Sequence, residues 1–147
     1  MKQQEERLEL DSRLDELSRV HPWVEHIAER HNLGEKSRFA IHLCMEEALA
    51  NVILHGYHGE RGHPINIRAS VSGDALYFAI EDHAPPFTPD EPGTPIDTIN
   101  PVAGLEVLTP GGNGIRLMRR FAEFVEYKRL PTGNRLTIGF HALSQSS

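Results

Sequence analysis

The segment that decides the fold is FAIHLCMEEALANVILHGY, residues 39–57. As far as Leu54, its polar side chains are few: His42, Glu46, Glu47 and Asn51. A helix that is apolar on nearly every side is typical of a helix buried inside the protein. The sequence therefore predicts one buried helix over residues 35–56, which ends at the pair His55-Gly56.

Upstream, residues 7–10 fit a short strand, and Asp11 or Ser12 can cap the helix that follows. Apolar residues then recur at intervals of three or four and give one helical face: Leu14, Leu17, Val20, Val24 and Ile27. Pro22 lies within this run and can break or kink it. The pattern is therefore compatible with one helix or with two.

Downstream, residues 65–71 and 75–81 predict the two strands of a β-hairpin, joined by Ser72-Gly73-Asp74. Residues 83–114 contain seven prolines and few periodic apolar positions. A connection of this length is typical of a functional lid or a disordered segment. A helix over 113–121 and strands over 123–130 and 135–141 complete the predicted pattern.

Strands that come in pairs, with the helices grouped apart from them, favour an α+β fold over a doubly wound parallel fold. The expected architecture is a mostly antiparallel sheet covered on one face by helices. The chain has 147 residues, the length of one domain, and we predict a single domain over residues 1–147.

Composition narrows the possible functions. Fifteen Lys plus Arg against 21 Asp plus Glu give a formal charge of -6, which argues against direct binding of nucleic acid through its phosphates. No run of about 18 apolar residues and no signal-peptide core occur, so we expect neither a membrane span nor export. The single cysteine, Cys44, is expected to be a buried, inert thiol, which fits a reducing cytoplasm.

Glu47 and Asn51 are the first candidate pair for chemistry. They are four residues apart, so their side chains project from the same face of the helix. Such a pair can cap a neighbouring turn or bind an Arg or Lys from another element. Alternatively, the carboxylate can accept a proton while the amide oxygen coordinates a hard cation such as Mg²⁺.

The second interpretation requires a phosphate site, and Gly111-Gly112-Asn113-Gly114 offers one directly before a helix. The same glycines also serve ordinary turns. Asp82 ends the second strand of the hairpin, where it can initiate a turn or accept a hydrogen bond from an exocyclic amine such as that of adenine. Phe87 follows and offers apolar contact.

Nine histidines raise the question of a metal site, above all His55, His58 and His63. The chain has neither a His-Glu-x-x-His motif nor paired cysteines, so the sequence does not favour zinc. We expect His55 to end its helix and the other histidines to lie on the surface. Glu46 is expected to have a solvated or structural role.

These segments, taken in order, resemble one protein family. Residues 47–57 are similar to the N-box of the GHKL ATPases, in the form found in bacterial anti-sigma factor serine/threonine kinases of the RsbW type. Residues 82–89 resemble the G1 box of that family, and residues 111–117 resemble its G2 box. The segment Gly133-Asn134-Arg135-Leu136-Thr137-Ile138 is similar to its terminal hairpin.

The resemblance implies a Bergerat-type two-layer α/β sandwich that holds ATP between the helices and a lid formed by residues 88–112. In it Glu47 would be the general base, Asn51 would hold Mg²⁺, Asp82 would receive the adenine amine and Thr137 would support that contact. The other implied nucleotide-binding positions are Ala84, Phe87, Gly111, Gly112, Asn113, Gly114 and Ile115. Ala84 replaces the first glycine of the G1 box, and it would be strained there if the backbone requires a positive φ.

The function implied is that of an ATP-dependent serine/threonine kinase that acts as an anti-sigma factor. The implied partners are a sigma factor and a small antagonist protein of the STAS type, which the kinase would phosphorylate, and the resemblance also implies a homodimer. Two alternatives stay open: a nucleotide-binding switch without kinase activity, and an interaction domain without a ligand. A histidine kinase is disfavoured because the chain lacks dimerisation helices that carry a phosphoacceptor histidine.

Overall fold

The computed structural model describes residues 5–85 and 114–141, the side chains of residues 114–117 excepted. Its strands are β1 (Glu5–Asp11), β2 (Pro64–Ser72), β3 (Ala75–Asp82), β4 (Phe124–Leu130) and β5 (Gly133–Phe140). Its α-helices are α1 (Val20–Arg30), α2 (Glu35–Asn51) and α3 (Gly114–Phe121). A 3₁₀ helix (Leu14–Arg19) precedes α1, and a π-helical turn (Val52–Gly56) follows α2.

The five strands form one sheet in the order β1-β2-β3-β5-β4, and each neighbouring pair is antiparallel. In β3 the side chains of Leu76, Phe78 and Ile80 are buried, whereas the alternate residues are only partly covered. This alternation is typical of a sheet with one face in the core and one face in solvent. The predicted α+β class, with helices on one face of an antiparallel sheet, is confirmed.

The helix α2 supplies the centre of the helical layer. Its buried residues follow one stripe along the helix: Ala40, Ile41, Cys44, Met45, Ala48 and Leu49. Phe39 is 58% exposed and Leu54 is 44% exposed, so the prediction that this segment is buried on nearly every side is wrong. The sheet and two flanking helices cover most of the circumference of α2, but they leave Phe39 of α2 and Leu54 of the following turn largely exposed.

The two flanks of α2 are occupied by different helices. On one flank the ring of Phe39 meets that of Phe121 at 5.8 Å, and the Cys44 thiol lies 3.8 Å from the Met118 carbonyl oxygen. Because the earlier residue of α2 meets the later residue of α3, these two helices run antiparallel. On the other flank His42 contacts Glu25 of α1.

The region before α2 contains two helical segments, which resolves the choice that Pro22 left open. Pro22 is the third residue of α1, where its missing amide hydrogen costs no helical hydrogen bond. The prediction of a cap at Asp11 or Ser12 is wrong, because Arg13 occupies the N-cap and has no capping side-chain bond. The buried Ser12 hydroxyl donates instead to the carbonyl of Glu60 and accepts from the amide of His63.

The predicted lid at residues 88–112 and the proposed helix start at Asn113 lie outside the described residues. The last strand begins two residues earlier than expected, at Gly133, which leaves a very short connection after β4. Among the helices that the structure describes, none combines the length and the apolar character that crossing a membrane requires.

At Gly133 the start of β5 lies against the end of β3 with no room for a side chain. A Cβ atom added there would lie 1.9 Å from the carbonyl oxygen of Asp82, a distance that no relaxed structure tolerates. The Gly133→Ala variant should therefore lose at least about 1–3 kcal/mol of unfolding free energy, as is usual for overpacking. Urea unfolding measures the loss, with Thr132→Ala, an exposed neighbour, as the control. Equal stability of the two variants would contradict this packing.

Candidate nucleotide-binding site

The Glu47 and Asn51 side chains occupy the last turns of α2, and both are half-buried. Among the side chains that the structure describes, those of residues 5–85 and 118–141, none forms a hydrogen bond or an ion pair with Glu47 or Asn51, and Asn51 does not cap the π-helical turn. The alternative in which an Arg or Lys neutralises Glu47 is therefore not observed in this part of the chain. A half-buried carboxylate and amide that no described side chain engages can bind a ligand.

The first turn of α3 lies close to these two residues. Cys44 contacts Met118, and the helices run in opposite directions. Four residues of helix cover about 6 Å, so Gly114 is expected at about the level of Ala48. The amide groups that begin α3 are thus expected alongside the helical turn that carries Glu47 and Asn51. Such amides, together with the helix dipole, favour an anion.

Cys44 also shows to which flank Glu47 belongs. Burial, with a smaller contribution from the negative charge of Glu47, raises the pKa of the Cys44 thiol to about 12. The thiol is therefore inert at neutral pH, as the sequence predicted. The Cys44 sulfur contacts α3, and Glu47 and Asn51 lie three and seven residues further along the helix, so all three side chains project toward the α3 flank of α2.

Asp82 ends β3 with its carboxylate inside the protein, and only 6% of the residue is exposed. Its Oδ1 atom accepts two hydrogen bonds of 2.9 Å, from the Ala84 amide and from Nδ2 of Asn134. The first is the turn-initiating bond that the sequence allowed. Burial raises the pKa of Asp82, and the two hydrogen bonds offset part of that rise. Among the described residues both bonds fall on Oδ1, which leaves Oδ2 for another donor.

Asn134 is a site residue that the sequence reasoning missed. It pairs with Asp82 across β3 and β5, and its amide nitrogen also lies 3.4 Å and 3.3 Å from the carbonyl oxygens of Ala84 and Pro85. The Tyr127 hydroxyl donates to the side-chain oxygen Oδ1 of Asn134 at 2.5 Å. Asn134 therefore fixes both the carboxylate of Asp82 and the chain that leaves β3. Its signal in the sequence was its place directly after Gly133 in the terminal hairpin.

Tyr57, just after the π-helical turn, was missed as well. Its buried hydroxyl accepts a 2.6 Å hydrogen bond from the His83 amide and donates to the Pro64 carbonyl oxygen at 3.0 Å. A Cβ atom on Gly56 would lie 3.3 Å from the Cβ atom of Ala84. Gly56 and Tyr57 therefore connect the segment that resembles the N-box to the segment that resembles the G1 box.

The backbone strain considered for Ala84 does not occur. Among the described non-glycine residues, only Asn32 and His58 have a positive φ. Ala84 is buried, and its methyl group fills the space beside Gly56. The backbone at position 84 does not adopt a left-handed conformation, so alanine in place of the family's glycine causes no backbone strain there.

Thr137 is not brought together with Asp82. In the register of β3 and β5, Asp82 is opposite Asn134 while Thr137 is opposite Ala79. Successive strand residues alternate between faces, so the Thr137 side chain lies on the solvent face, with Glu81 and Arg135, and Asp82 on the core face. Asn134, rather than Thr137, supports the Asp82 carboxylate.

The other predicted binding residues are only partly accounted for. Gly114 and Ile115 form the first turn of α3, as expected for residues that present backbone amides to a phosphate. Phe87, Gly111, Gly112 and Asn113 lie outside the described residues, and their predicted roles stay predictions.

The family model for the histidine kinase-like ATPase domain matches residues 10–140. The chain belongs to this family. The match includes every described strand except the first residues of β1, and it includes both segments that carry Glu47 and Asp82. An ATPase domain implies that the protein binds ATP.

Two similar proteins support the assignment. The serine/threonine-protein kinase BtrW of Bordetella bronchiseptica is 33% identical over 127 residues, which are 84% of each chain. The blue-light activated histidine kinase of Erythrobacter litoralis EL346 has the same fold, with a TM-score of 0.58 at 17% identity. That match covers 89% of this chain but only 42% of the histidine kinase, so this chain corresponds to less than half of it.

The Asp82→Asn variant should show opposite effects on the stability of the fold and on the affinity for ATP. Because the pKa of Asp82 is raised in the folded state, its ionised form costs stability at neutral pH, and the cost disappears as the pH falls through that pKa. The variant should unfold at an equal or higher temperature than the natural protein at pH 7, and the difference should shrink in acid. ATP should bind about 10- to 100-fold more weakly, because a charged acceptor is lost.

Thermal unfolding at several pH values and calorimetric titration with ATP measure the two effects. Asp74→Asn is the matched control, since Asp74 is an exposed aspartate in the turn between β2 and β3. Unchanged ATP affinity in Asp82→Asn would contradict the role given to this carboxylate.

Proposed function

We propose that this protein is an ATP-dependent serine/threonine kinase and an anti-sigma regulatory factor that phosphorylates a small antagonist protein. The observation that carries the proposal is the pair Glu47 and Asn51, unpaired within the described residues and adjacent to the first turn of α3. The kinase relative BtrW, which aligns with 84% of the chain, supports the same activity.

In the proposed reaction, Glu47 accepts the proton of a serine or threonine hydroxyl on the antagonist. The hydroxyl oxygen forms a bond to the γ-phosphorus of ATP while the bond from that phosphorus to the β,γ-bridging oxygen breaks, and ADP leaves. Glu47 suits this role because the described residues give it no basic partner that would hold its charge. Positioning and charge stabilisation then supply most of the rate enhancement.

Asn51 is the residue that would hold Mg²⁺, since it presents a neutral oxygen ligand on the same face as Glu47. The cation, when bound, would neutralise charge on the phosphate oxygens. The amide groups of the first turn of α3 would bind the same phosphates from the side opposite α2. This arrangement uses the only two polar side chains of the last turns of α2, residues 47–51.

Asp82 would fix the base of the nucleotide. Asn134 and Ala84 occupy Oδ1, so the exocyclic amine of adenine would donate to Oδ2. Asn134 keeps the carboxylate in one orientation, which reduces the ordering that binding would otherwise require.

The partners proposed for this chain are a sigma factor, an antagonist protein of the STAS type and a second copy of the chain in a homodimer. We place this regulation in the cytoplasm, without direct contact to nucleic acid. The formal charge of -6 supports protein partners over nucleic acid.

Glu47→Gln tests the general base. Phosphate transfer to an antagonist protein of the STAS type should fall by about 10²- to 10⁴-fold, the usual contribution of a positioned base. ATP binding should persist, because glutamine has nearly the same shape. Single-turnover transfer of labelled phosphate measures the rate, with Glu29→Gln, an exposed glutamate of α1, as the control. Undiminished transfer would rule out Glu47 as the base.

Asn51→Ala tests the cation site. Calorimetry with ATP, with and without Mg²⁺, should show tighter binding with the metal in the natural protein and no metal effect in the variant. ATP binding without phosphate transfer to any antagonist would favour the nucleotide-binding switch. Absence of ATP binding at millimolar concentration would favour the interaction domain and overturn the proposal.

A further inference from the structure

A second group of possible ligands lies on the other flank of α2. His21 and Glu25 belong to α1 and His42 to α2, and one ligand atom from each lies within 4.8 Å of the other two. Nε2 of His42 is 2.6 Å from Oε2 of Glu25, and the rings of His21 and His42 stack with centroids 4.2 Å apart. We call these three side chains the flank cluster.

The spacing of residues along α1 and α2 determines which way the flank cluster faces. His21 and Glu25 are four residues apart, so they share one face of α1. His42 is separated from Glu47 by five residues, which corresponds to about 140° around the axis of α2. The flank cluster therefore faces α1, whereas Glu47 and Asn51 lie toward α3. A ligand of the flank cluster would be distinct from nucleotide and Mg²⁺.

The spacing of the flank cluster fits a tetrahedral ion after small movements. Bonds of about 2.0–2.1 Å to nitrogen and oxygen place neighbouring ligands about 3.3 Å apart in such a site. The Glu25–His42 contact is shorter than this by less than 1 Å. A metal ion would take the place of the hydrogen bond between them. His21 is exposed and can turn its ring toward the same point.

The carboxylate of the flank cluster is already held in place. Nη1 of Arg38 donates to Oε1 of Glu25 at 2.6 Å, and Nε of Arg38 donates to the Leu33 carbonyl oxygen at 2.9 Å. Arg38 thus occupies Oε1 and leaves Oε2 toward the two histidines. Metal-ligating carboxylates are commonly oriented in this way by an outer hydrogen bond.

A small surface pocket adjoins the two imidazole rings and leaves room for a further ligand. Its volume is about 80 Å³, and Glu46 lies on its wall one helical turn beyond His42. Its lining residues are Leu17, Val20, His21, His42, Glu46 and Leu49. Water or Glu46 can complete a fourth position there.

We propose that His21, Glu25 and His42 bind a divalent transition metal of the zinc class. Two imidazoles and one carboxylate are ligands that suit Zn²⁺ and disfavour Mg²⁺, which prefers oxygen ligands throughout. The bound metal joins α1 to α2 directly above the core. The proposal does not depend on kinase activity, because it concerns the opposite flank of α2.

Calorimetric titration of ZnCl₂ into the full chain, without nucleotide and in a buffer that does not chelate metals, tests the site. The natural protein should bind one Zn²⁺ and unfold at a higher temperature with it, whereas MgCl₂ should have neither effect. His21→Ala and Glu25→Gln should each weaken binding at least about tenfold, as much as loss of an outer partner costs. Co²⁺ in the site should give the strong visible bands of tetrahedral coordination.

His26→Ala is the matched control, because His26 is an exposed histidine of α1 outside the flank cluster. It should bind Zn²⁺ as the natural protein does. Circular dichroism without metal shows that each variant is folded. No saturable Zn²⁺ binding, or equal binding in His21→Ala, Glu25→Gln and His26→Ala, would overturn the proposal.

Discussion

Burial of one stripe of α2 against the sheet is the constraint on which the rest of the molecule depends. Each large apolar side chain in this stripe contributes about 1.5–3 kcal/mol when fully buried, so the helix cannot rotate without a large loss. With that stripe fixed, every other side chain of α2 has a set direction. Glu47 lies toward α3, His42 contacts α1, and Phe39 stays more than half exposed beside Phe121. The packing of this stripe thus orients both the pair Glu47 and Asn51 and the His42 side chain of the flank cluster.

The second constraint is the buried carboxylate of Asp82, which destabilises the fold while it prepares the site. Desolvation raises its pKa, and Asn134 and the Ala84 amide recover only part of that cost. A buried carboxyl group whose pKa is raised by desolvation is common among residues that bind ligands. Gly133 makes the arrangement possible, because any side chain there would collide with the backbone of Asp82.

Much of the fold could be predicted from the sequence. The hairpin of β2 and β3 followed from alternating apolar residues around Ser72-Gly73-Asp74, and the α+β class followed from the pairing of strands. The complete burial of residues 39–54 was overpredicted, because composition does not reveal how much of a helix its neighbours cover. A local capping role was also predicted for Ser12, whereas its hydroxyl forms hydrogen bonds with residues about 50 positions away.

Site residues that share one helix could be predicted from the sequence, whereas residues that come together from two different elements were missed. Glu47 and Asn51 follow from helical spacing, but Asn134 becomes visible only through the register of β3 and β5. The same register separates Thr137 from Asp82. Likewise, His21 and His42 are 21 positions apart, and only the packing of α1 on α2 brings them together.

The π-helical turn after Asn51 changes the direction in which the side chains that follow it point around the helix axis. In an α-helix each residue advances by about 100°, so one additional residue in a turn rotates everything beyond it by that amount. Here the rotation aims the ring of Tyr57 at the strand ends, where its hydroxyl meets the His83 amide. A chain one residue shorter at this point would keep Glu47 and Asn51 in place yet lose the alignment between the helical layer and the end of β3. The length of this turn is therefore fixed by geometry at both of its ends, independently of which side chains occupy it.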